Sequence, residues 1–386
     1  MKKQQMLFQI PTLFGLEGIC ADELKYLGFA DVKADNGKVF FTGGPEEMAR
    51  ANLWTRTGER VQIVMAQFHA ETFDELFEGT KDTPFENFIG SLDAFPVKGW
   101  SLNSKLHSVP DCQKIVKKAV VERLKECYGN PWFEETGPKI QIQFSIMKDE
   151  VTLLLDTSGS GLYKRGYRRN ETEAPIRETL AAGIVNLARV HADSCLADPM
   201  CGSGTIVIEG AMKALNIAPG IRRHYSFENW ACFSKSLLAD AREEAMTKIK
   251  KDAPFEAFGC DIDESVIEIA KENAKRAGVA SRIQFMAQDI KYFRADQLPS
   301  ESDRGVHKKQ IVCTNPPYGE RLLDVNTARE LYKKMGVVFP PLDNHGYYII
   351  TPDEAFEENF GRKADKVRKL YNGMLKCNLY FYYRSK

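Results

Sequence analysis

No C-x-x-C pair occurs among the nine cysteines, and the six histidines are scattered singly along the chain. That spacing excludes a zinc ribbon, a thioredoxin-type site and a disulfide framework, and it suits a reducing cytoplasm. Net charge is missing as well, since 53 basic residues balance 53 acidic ones. No global field draws the chain to nucleic acid, so any such binding has to rest on local patches. No apolar run reaches bilayer-spanning length, and Met6-Leu7-Phe8-Gln9-Ile10-Pro11 is too short and broken for a signal peptide. The expectation is a soluble cytoplasmic protein with no membrane partner and no metal. Its 386 residues have room for two or three domains and a substantial core.

What stands out instead is Thr314-Asn315-Pro316-Pro317-Tyr318-Gly319-Glu320-Arg321. The preceding Gln310-Ile311-Val312-Cys313 reads as a short buried strand. Two successive prolines end it, because neither can donate to a sheet ladder. Asn315 is biased towards extended geometry by the proline that follows, at the carboxyl edge where parallel sheets bind ligands. Its side chain offers one carbonyl and one amide group, the carbonyls of Pro316 and Pro317 share the same small space, and Tyr318 adds a flat face. This set suits the exocyclic amine of a planar base, with acceptors for its hydrogens and a ring to stack on.

A second pattern lies upstream. Strand Ser194–Ala197 leads into Asp198-Pro199-Met200-Cys201-Gly202-Ser203-Gly204-Thr205, followed by a helix from Ile206 to Leu215. Strand, glycine turn and helix bring backbone N–H groups close to a nucleotide-like ligand, which marks Cys201, Gly202, Gly204 and Thr205. The run contains no G-x-x-x-x-G-K-[ST], and Val207 stands where a dinucleotide fingerprint needs its third glycine. The next strand, Phe255–Cys260, ends at Asp261-Ile262-Asp263. Asp263 reads as the N-cap of the following helix, which assigns Asp261 to a ribose and Ile262 to an adenine face. A third strand, Ile283–Ala287, ends at Gln288-Asp289-Ile290, and Asn372-Gly373 predicts a terminal hairpin.

Asn315-Pro316-Pro317-Tyr318 resembles the catalytic motif of methyltransferases that modify base amines using S-adenosylmethionine. With Gly319-Glu320-Arg321-Leu322 the stretch resembles the THUMP-containing RNA guanine-N2 methyltransferases, particularly the large-subunit ribosomal RNA enzymes. The resemblance implies an α/β fold: a Rossmann-like class I methyltransferase sheet ending in an antiparallel hairpin, preceded by α+β ferredoxin-like and THUMP domains. It implies that Asn315, Pro316, Pro317 and Tyr318 are catalytic. It implies that Asp198 receives the amino acid end of the cofactor and Asp289, with Ile290 beside it, the adenine amine. Thr179, in Pro175–Leu180, falls in a segment that often borders the cofactor in this family. The implied partner is RNA, ribosomal first and transfer RNA second. The motif does not separate guanine N2 from adenine N6.

The first half reads as two units, 1–65 and 66–165, ahead of a catalytic unit, 166–386. Gly15-Leu16-Glu17 and Leu27-Gly28 resemble the opening of the same family, and Leu106-His107-Ser108 with Lys117-Lys118-Ala119 resembles a THUMP domain. The helix Asp111–Tyr128 carries Lys114, Lys117 and Lys118 opposite its apolar side, either as a solvated face or as a phosphate-binding edge. Gly159 to Arg169 interleaves Lys164, Arg165, Arg168 and Arg169 with Tyr163 and Tyr167. That composition fits single-stranded nucleic acid, or a linker with ordinary solubilising charge. An insertion, Ala218 to Phe233, with Arg222, Arg223, Tyr225 and Trp230, is expected to flank the substrate cleft rather than cover a sheet. Residues 1–165 are expected to be removable without unfolding the remainder.

Overall fold

Short apolar stretches bounded by turn residues become strands in two seven-stranded sheets. The computed structural model describes residues 5–168, 176–302, 305, 307–318, 325–341 and 345–383. Gly319–Leu322, Arg169 and Pro175 lie outside the described residues. In the first half the elements are β1 (Met6–Pro11), α1 (Glu17–Tyr26), β2 (Ala30–Asp35), β3 (Lys38–Gly43) and α2 (Pro45–Trp54). They continue with β4 (Gln62–His69), α3 (Phe73–Lys81), β5 (Val97–Leu102), α4 (Val109–Tyr128), β6 (Gln141–Met147) and β7 (Glu150–Asp156). The second half holds α5 (Glu178–Leu187), β8 (Ser194–Asp198), α6 (Thr205–Ala214), α7 (Leu237–Thr247), β9 (Glu256–Asp261) and α8 (Glu264–Ala277). It ends with β10 (Ile283–Ala287), β11 (Lys309–Thr314), α9 (Val325–Val338), β12 (His345–Thr351), α10 (Phe356–Phe360), β13 (Lys366–Asn372) and β14 (Leu375–Tyr382).

The first sheet runs β2-β3-β1-β4-β7-β6-β5. Its strand β4 pairs with β1 at Phe8↔Ile63 and Gln9↔Gln62, and with β7 from Gln62 to His69. The boundary expected at 65/66 falls inside that strand, so the two N-terminal units share one continuous sheet. Their apolar side chains meet in a common core that includes Phe8, Phe41, Phe85 and Phe144.

The second sheet runs β10-β9-β8-β11-β12-β14-β13, parallel from β10 to β12 and antiparallel through β14 and β13. The terminal hairpin turns at Gly373, where φ is +64°, with Asn372 paired to Leu375. This is the Rossmann-like sheet with an antiparallel end that the motifs predict.

The insertion after α6 departs from expectation. Ala218, Tyr225, Phe227, Trp230 and Phe233, followed by Leu237, Leu238, Ala241 and Ala245 of α7, are buried in the N-terminal core and not in a cleft. The Tyr225 hydroxyl donates to the Asn52 carbonyl at 3.0 Å, and Arg223 donates to the carbonyls of Gly161 and Ser160 at 2.8 Å each. Arg222 caps the α8 end through the Arg276 carbonyl. The reason is apolar area: Trp230 is fully buried there, whereas a cleft wall would leave it wet. A fragment lacking 1–165 would expose all of these side chains, so the expectation that those residues are removable fails.

The basic linker also turns inward. Arg165 is buried with its Nε 3.4 Å from Glu209 Oε1, and the Tyr167 hydroxyl donates to the same oxygen at 3.1 Å. Arg168 bonds Thr205 Oγ1 and the Ile176 carbonyl (3.1 Å) and lies 3.6 Å from Glu178. These three side chains hold the seam between the halves and cannot meet a phosphate or a base, which corrects their assignment to RNA. Lys164 alone of the described basic residues in this segment is exposed and without an ion pair. Burial of a charge demands partners, and composition does not reveal which arginines have them.

Candidate active site

Strand β8 is buried along its whole length and ends at Asp198. The chain runs outward from it to β9 and β10, then crosses back to β11 and β12, so the strand order reverses between β8 and β11. A crevice opens outside the carboxyl ends at such a reversal. Here it is a cavity of about 690 Å³, within the range of small-molecule sites.

The floor is the turn after β8. Its Cys201 N–H donates to the Cys260 carbonyl at 2.7 Å, and the Gly202 N–H donates to Asp261 Oδ2 at 2.9 Å. Gly204 caps α6 at φ +79°, and a Cβ there would lie 3.1 Å from Ala270 Cβ and 3.2 Å from the Phe285 ring. The positive φ calls for a glycine, and the space around it is tight. Asp198 is buried beneath this turn. Burial first, and the Asp261 charge in addition, push its carboxyl up to about 7, against a hydrogen bond from the Met200 N–H at 3.2 Å.

Asp261 closes β9, and Asp263 beside it caps α8 by accepting the Ser265 N–H at 2.8 Å. The exposed side chain of Ile262 lines the cavity next to them. At the end of β10, Asp289 Oδ1 accepts the Lys291 N–H at 2.9 Å, a bond that holds its carboxyl below the ordinary range. Opposite stands the loop after β11. Asn315, Pro316, Pro317 and Tyr318 all line the cavity. Asn315 Oδ1 is buried without a hydrogen-bond partner among the described residues, while the Tyr318 hydroxyl accepts from Asn372 Nδ2 at 3.3 Å. Burial pushes the Tyr318 phenol up to about 12.

The cavity thus gathers Asp198, Cys201, Gly202, Thr205, Asp261, Ile262, Asp289 and Ile290 with the proline motif. Two expected cofactor contacts fall elsewhere. Thr179 is buried against the N-terminal half, its hydroxyl donating to Glu59 Oε1 at 2.6 Å, and Gly204 shapes the turn without lining the cavity. The sequence reading missed Met200, Ser203, Gln288 and the α9 residues Thr327, Glu330, Leu331 and Lys334. The spacing of those four α9 residues marks one helical face, but no residue type among them distinguishes a cavity wall from a solvated face.

On α4, Lys117 is corrected too. Its ammonium lies 3.4 Å from the Phe95 ring centroid and bonds Glu135 (2.5 Å) and the Phe95 carbonyl (3.1 Å). Lys114 and Lys118 remain exposed, the first 3.4 Å from Asp111 and the second over Phe77.

Residues 165–380 match the family model for RMKL-like methyltransferase domains. The chain belongs to that family. Ahead of this RMKL-like domain, residues 8–62 match the RlmL ferredoxin-like domain and 70–156 the THUMP domain. The Bacillus subtilis protein YpsC is 45% identical over 385 residues, 99% of this chain and 97% of its own length. The ribosomal RNA large subunit methyltransferase K/L of Psychromonas ingrahamii is 33% identical over 376 residues. That match takes in 96% of this chain and 49% of the relative, so the chain spans about half the length of the K/L protein. The crystal structure of SMU.472 complexed with SAH is 39% identical, with a TM-score of 0.91 and all of both chains covered.

The cofactor of this RMKL-like methyltransferase is S-adenosylmethionine. The donor set fits it: the molecule carries an ammonium, a ribose diol and an adenine amine, and the cavity offers three carboxylates, Asp198, Asp261 and Asp289, at the ends of three adjacent strands. Among the described residues no helix is long and apolar enough to cross a membrane.

Proposed function

We propose that the chain methylates RNA at the exocyclic N2 of a guanine, in large-subunit ribosomal RNA. The observation that carries this reading is the unpartnered, buried Oδ1 of Asn315 beside Tyr318 on the cofactor cavity. A buried acceptor without a donor costs stability, and an amine arriving from the substrate supplies that donor. The THUMP match and the name of the K/L relatives support an RNA substrate and the ribosomal choice.

In this reading the target base leaves its stack, at a cost of a few kcal/mol, and lies against the Tyr318 ring. Asn315 Oδ1 and the Pro316 carbonyl accept the two amine hydrogens. An aromatic amine is a weak nucleophile because its lone pair is delocalised into the ring. Hydrogen bonds to both hydrogens favour a pyramidal nitrogen whose lone pair points at the methyl donor. S-adenosylmethionine supplies an electrophilic methyl group, and the chain's own contribution is orientation and hydrogen bonding. The surplus proton on nitrogen leaves to solvent, since no side chain in the motif is a base.

Nucleoside mass spectrometry of ribosomal and transfer RNA from a strain lacking the gene tests this. Loss of N2-methylguanosine from large-subunit RNA is the expected result. Loss of N6-methyladenosine, or loss confined to transfer RNA, would replace the proposal with the corresponding alternative.

A further inference from the structure

Of the basic residues that composition marks for RNA, Lys117, Arg165 and Arg168 are occupied within the fold, while a different basic stretch remains open. Between Arg362 and Lys376 the chain carries six basic residues and one acidic residue, Asp365, in a protein whose net charge is zero. The Asp365 carboxylate is engaged by the Tyr383 N–H at 2.6 Å. The middle of the stretch forms β13, the edge strand of the catalytic sheet, paired on one side only. Lys363, Lys366 and Lys369 are exposed and make no ion pair among the described residues.

The position of this strand gives the charge a purpose. At its carboxyl end, Asn372 donates to the catalytic-loop Tyr318 at 3.3 Å. One residue earlier, Tyr371 meets the exposed Phe14 of the N-terminal half, ring centroids 5.9 Å apart at 64°. The two halves abut closely here. A Cβ on Gly15 would lie 2.7 Å from the Lys369 carbonyl, and φ at Gly15 is +90°, so the glycine is needed. Steps of three residues along an extended strand cover about 10 Å and alternate between faces. Lys366 and Asn372 therefore share one face and Lys369 lies on the other, so the open edge carries positive charge on both sides on its way to the active site.

We infer that β13 is the track for the RNA backbone flanking the target nucleotide, with Phe14 and Tyr371 stacking a neighbouring base at the seam between the halves. This rests on the RNA reading above and names the surface that delivers the substrate to that same site. Lysines of this kind fix backbone position without reading sequence, and the aromatic pair accepts any base.

The test uses the whole protein and a fluorescein-labelled single-stranded RNA of about 20 nucleotides, a length chosen to exceed typical single-strand site sizes. Its affinity is followed by anisotropy over a salt series. The triple variant K363Q/K366Q/K369Q is expected to lower the salt slope by about 2, near 0.7 for each phosphate that is no longer neutralised. Its calorimetric affinity for S-adenosylmethionine is expected to match that of the unsubstituted protein. Phe14→Ala is expected to weaken binding by about tenfold with an unchanged slope, the signature of weakened stacking. Should the triple variant fail to bind the cofactor, K369Q alone reads the same slope, lowered by about 0.7. An unchanged slope and affinity in these variants would overturn the track while leaving the RNA reading intact. Failure of the unsubstituted protein to bind or methylate any RNA would instead sink the reading on which the track rests.

Discussion

Glu209 lies on the helix that springs from the glycine turn, and Arg165 reaches it from the linker between the halves with its Nε 3.4 Å from Oε1, both side chains almost entirely out of solvent. The pair joins the cofactor-binding helix to the segment that follows the N-terminal sheet. Removing one member leaves the other charge buried without its partner. Arg165→Leu is expected to destabilise the protein by about 3–5 kcal/mol, measured by urea unfolding. The double variant R165L/E209L should recover part of that loss. A single variant as stable as the parent would show that the pair contributes nothing.

Asn315→Ala separates catalysis from cofactor binding. The substitution removes the unpartnered Oδ1 and leaves Asp198, Asp261 and Asp289 untouched. Turnover is expected to fall by roughly 10²-fold or more, as for the loss of one preorganised hydrogen-bonding group. Cofactor affinity by calorimetry should stay near normal. Asp261→Ala should do the reverse, weakening the cofactor through loss of an acceptor and of the bond that orients the Gly202 N–H.

Asp198 makes the site sensitive to pH. Its carboxyl titrates near 7 in the folded protein, against 3.8 for an ordinary aspartate. Between those values the folded state holds a proton that the unfolded state has released, so stability falls as pH rises from about 4 to about 7. This one group contributes a decline of roughly 4 kcal/mol, which Asp198→Asn should abolish in a urea series. The cofactor's ammonium should favour the carboxylate, giving affinity about tenfold weaker at pH 6 than at pH 8 together with proton uptake by buffer on binding. A flat calorimetric profile over that range would remove Asp198 from the cofactor's amino acid end.

Trp230 tests the insertion. It belongs to the second half by sequence and to the first by burial. Trp230→Ala is expected to cost about 3–5 kcal/mol. A fragment of residues 166–386 should aggregate or bind a hydrophobic dye, because the apolar face of 218–245 would stand open. A monodisperse, dye-silent fragment would contradict that packing.

Much of the catalytic sheet was legible in advance. Strands β8 and β11 are short buried runs that lead into Asp198 and Asn315, and their carboxyl ends carry the chemistry. Parallel strands buried on both sides leave continuous apolar segments that are easily recognised. The exposed edge strand β2, whose residues Ala30–Asp35 show no apolar alternation, left no such trace, nor did β5 with Gly99 at its centre. The polar helix α7 went unread for the same reason. At the site, aspartates and the proline motif announced themselves by residue type, whereas the α9 wall did not. The largest misreading concerned Arg165, Tyr167, Arg168 and Lys117. Composition supplies the charge and the ring, but only packing decides whether they face water or a buried partner.

The segment from 218 to 247 is rooted in the catalytic half and embedded in the other. A hinge between the halves would have to tear Trp230 and Tyr225 out of their core, so the span from the THUMP sheet to Asn315 is set once, when the chain folds. The enzyme then works as a gauge of fixed reach. Under the proposed function, a base sitting nearer or farther along its RNA than that span would miss the pocket, however well it would fit inside.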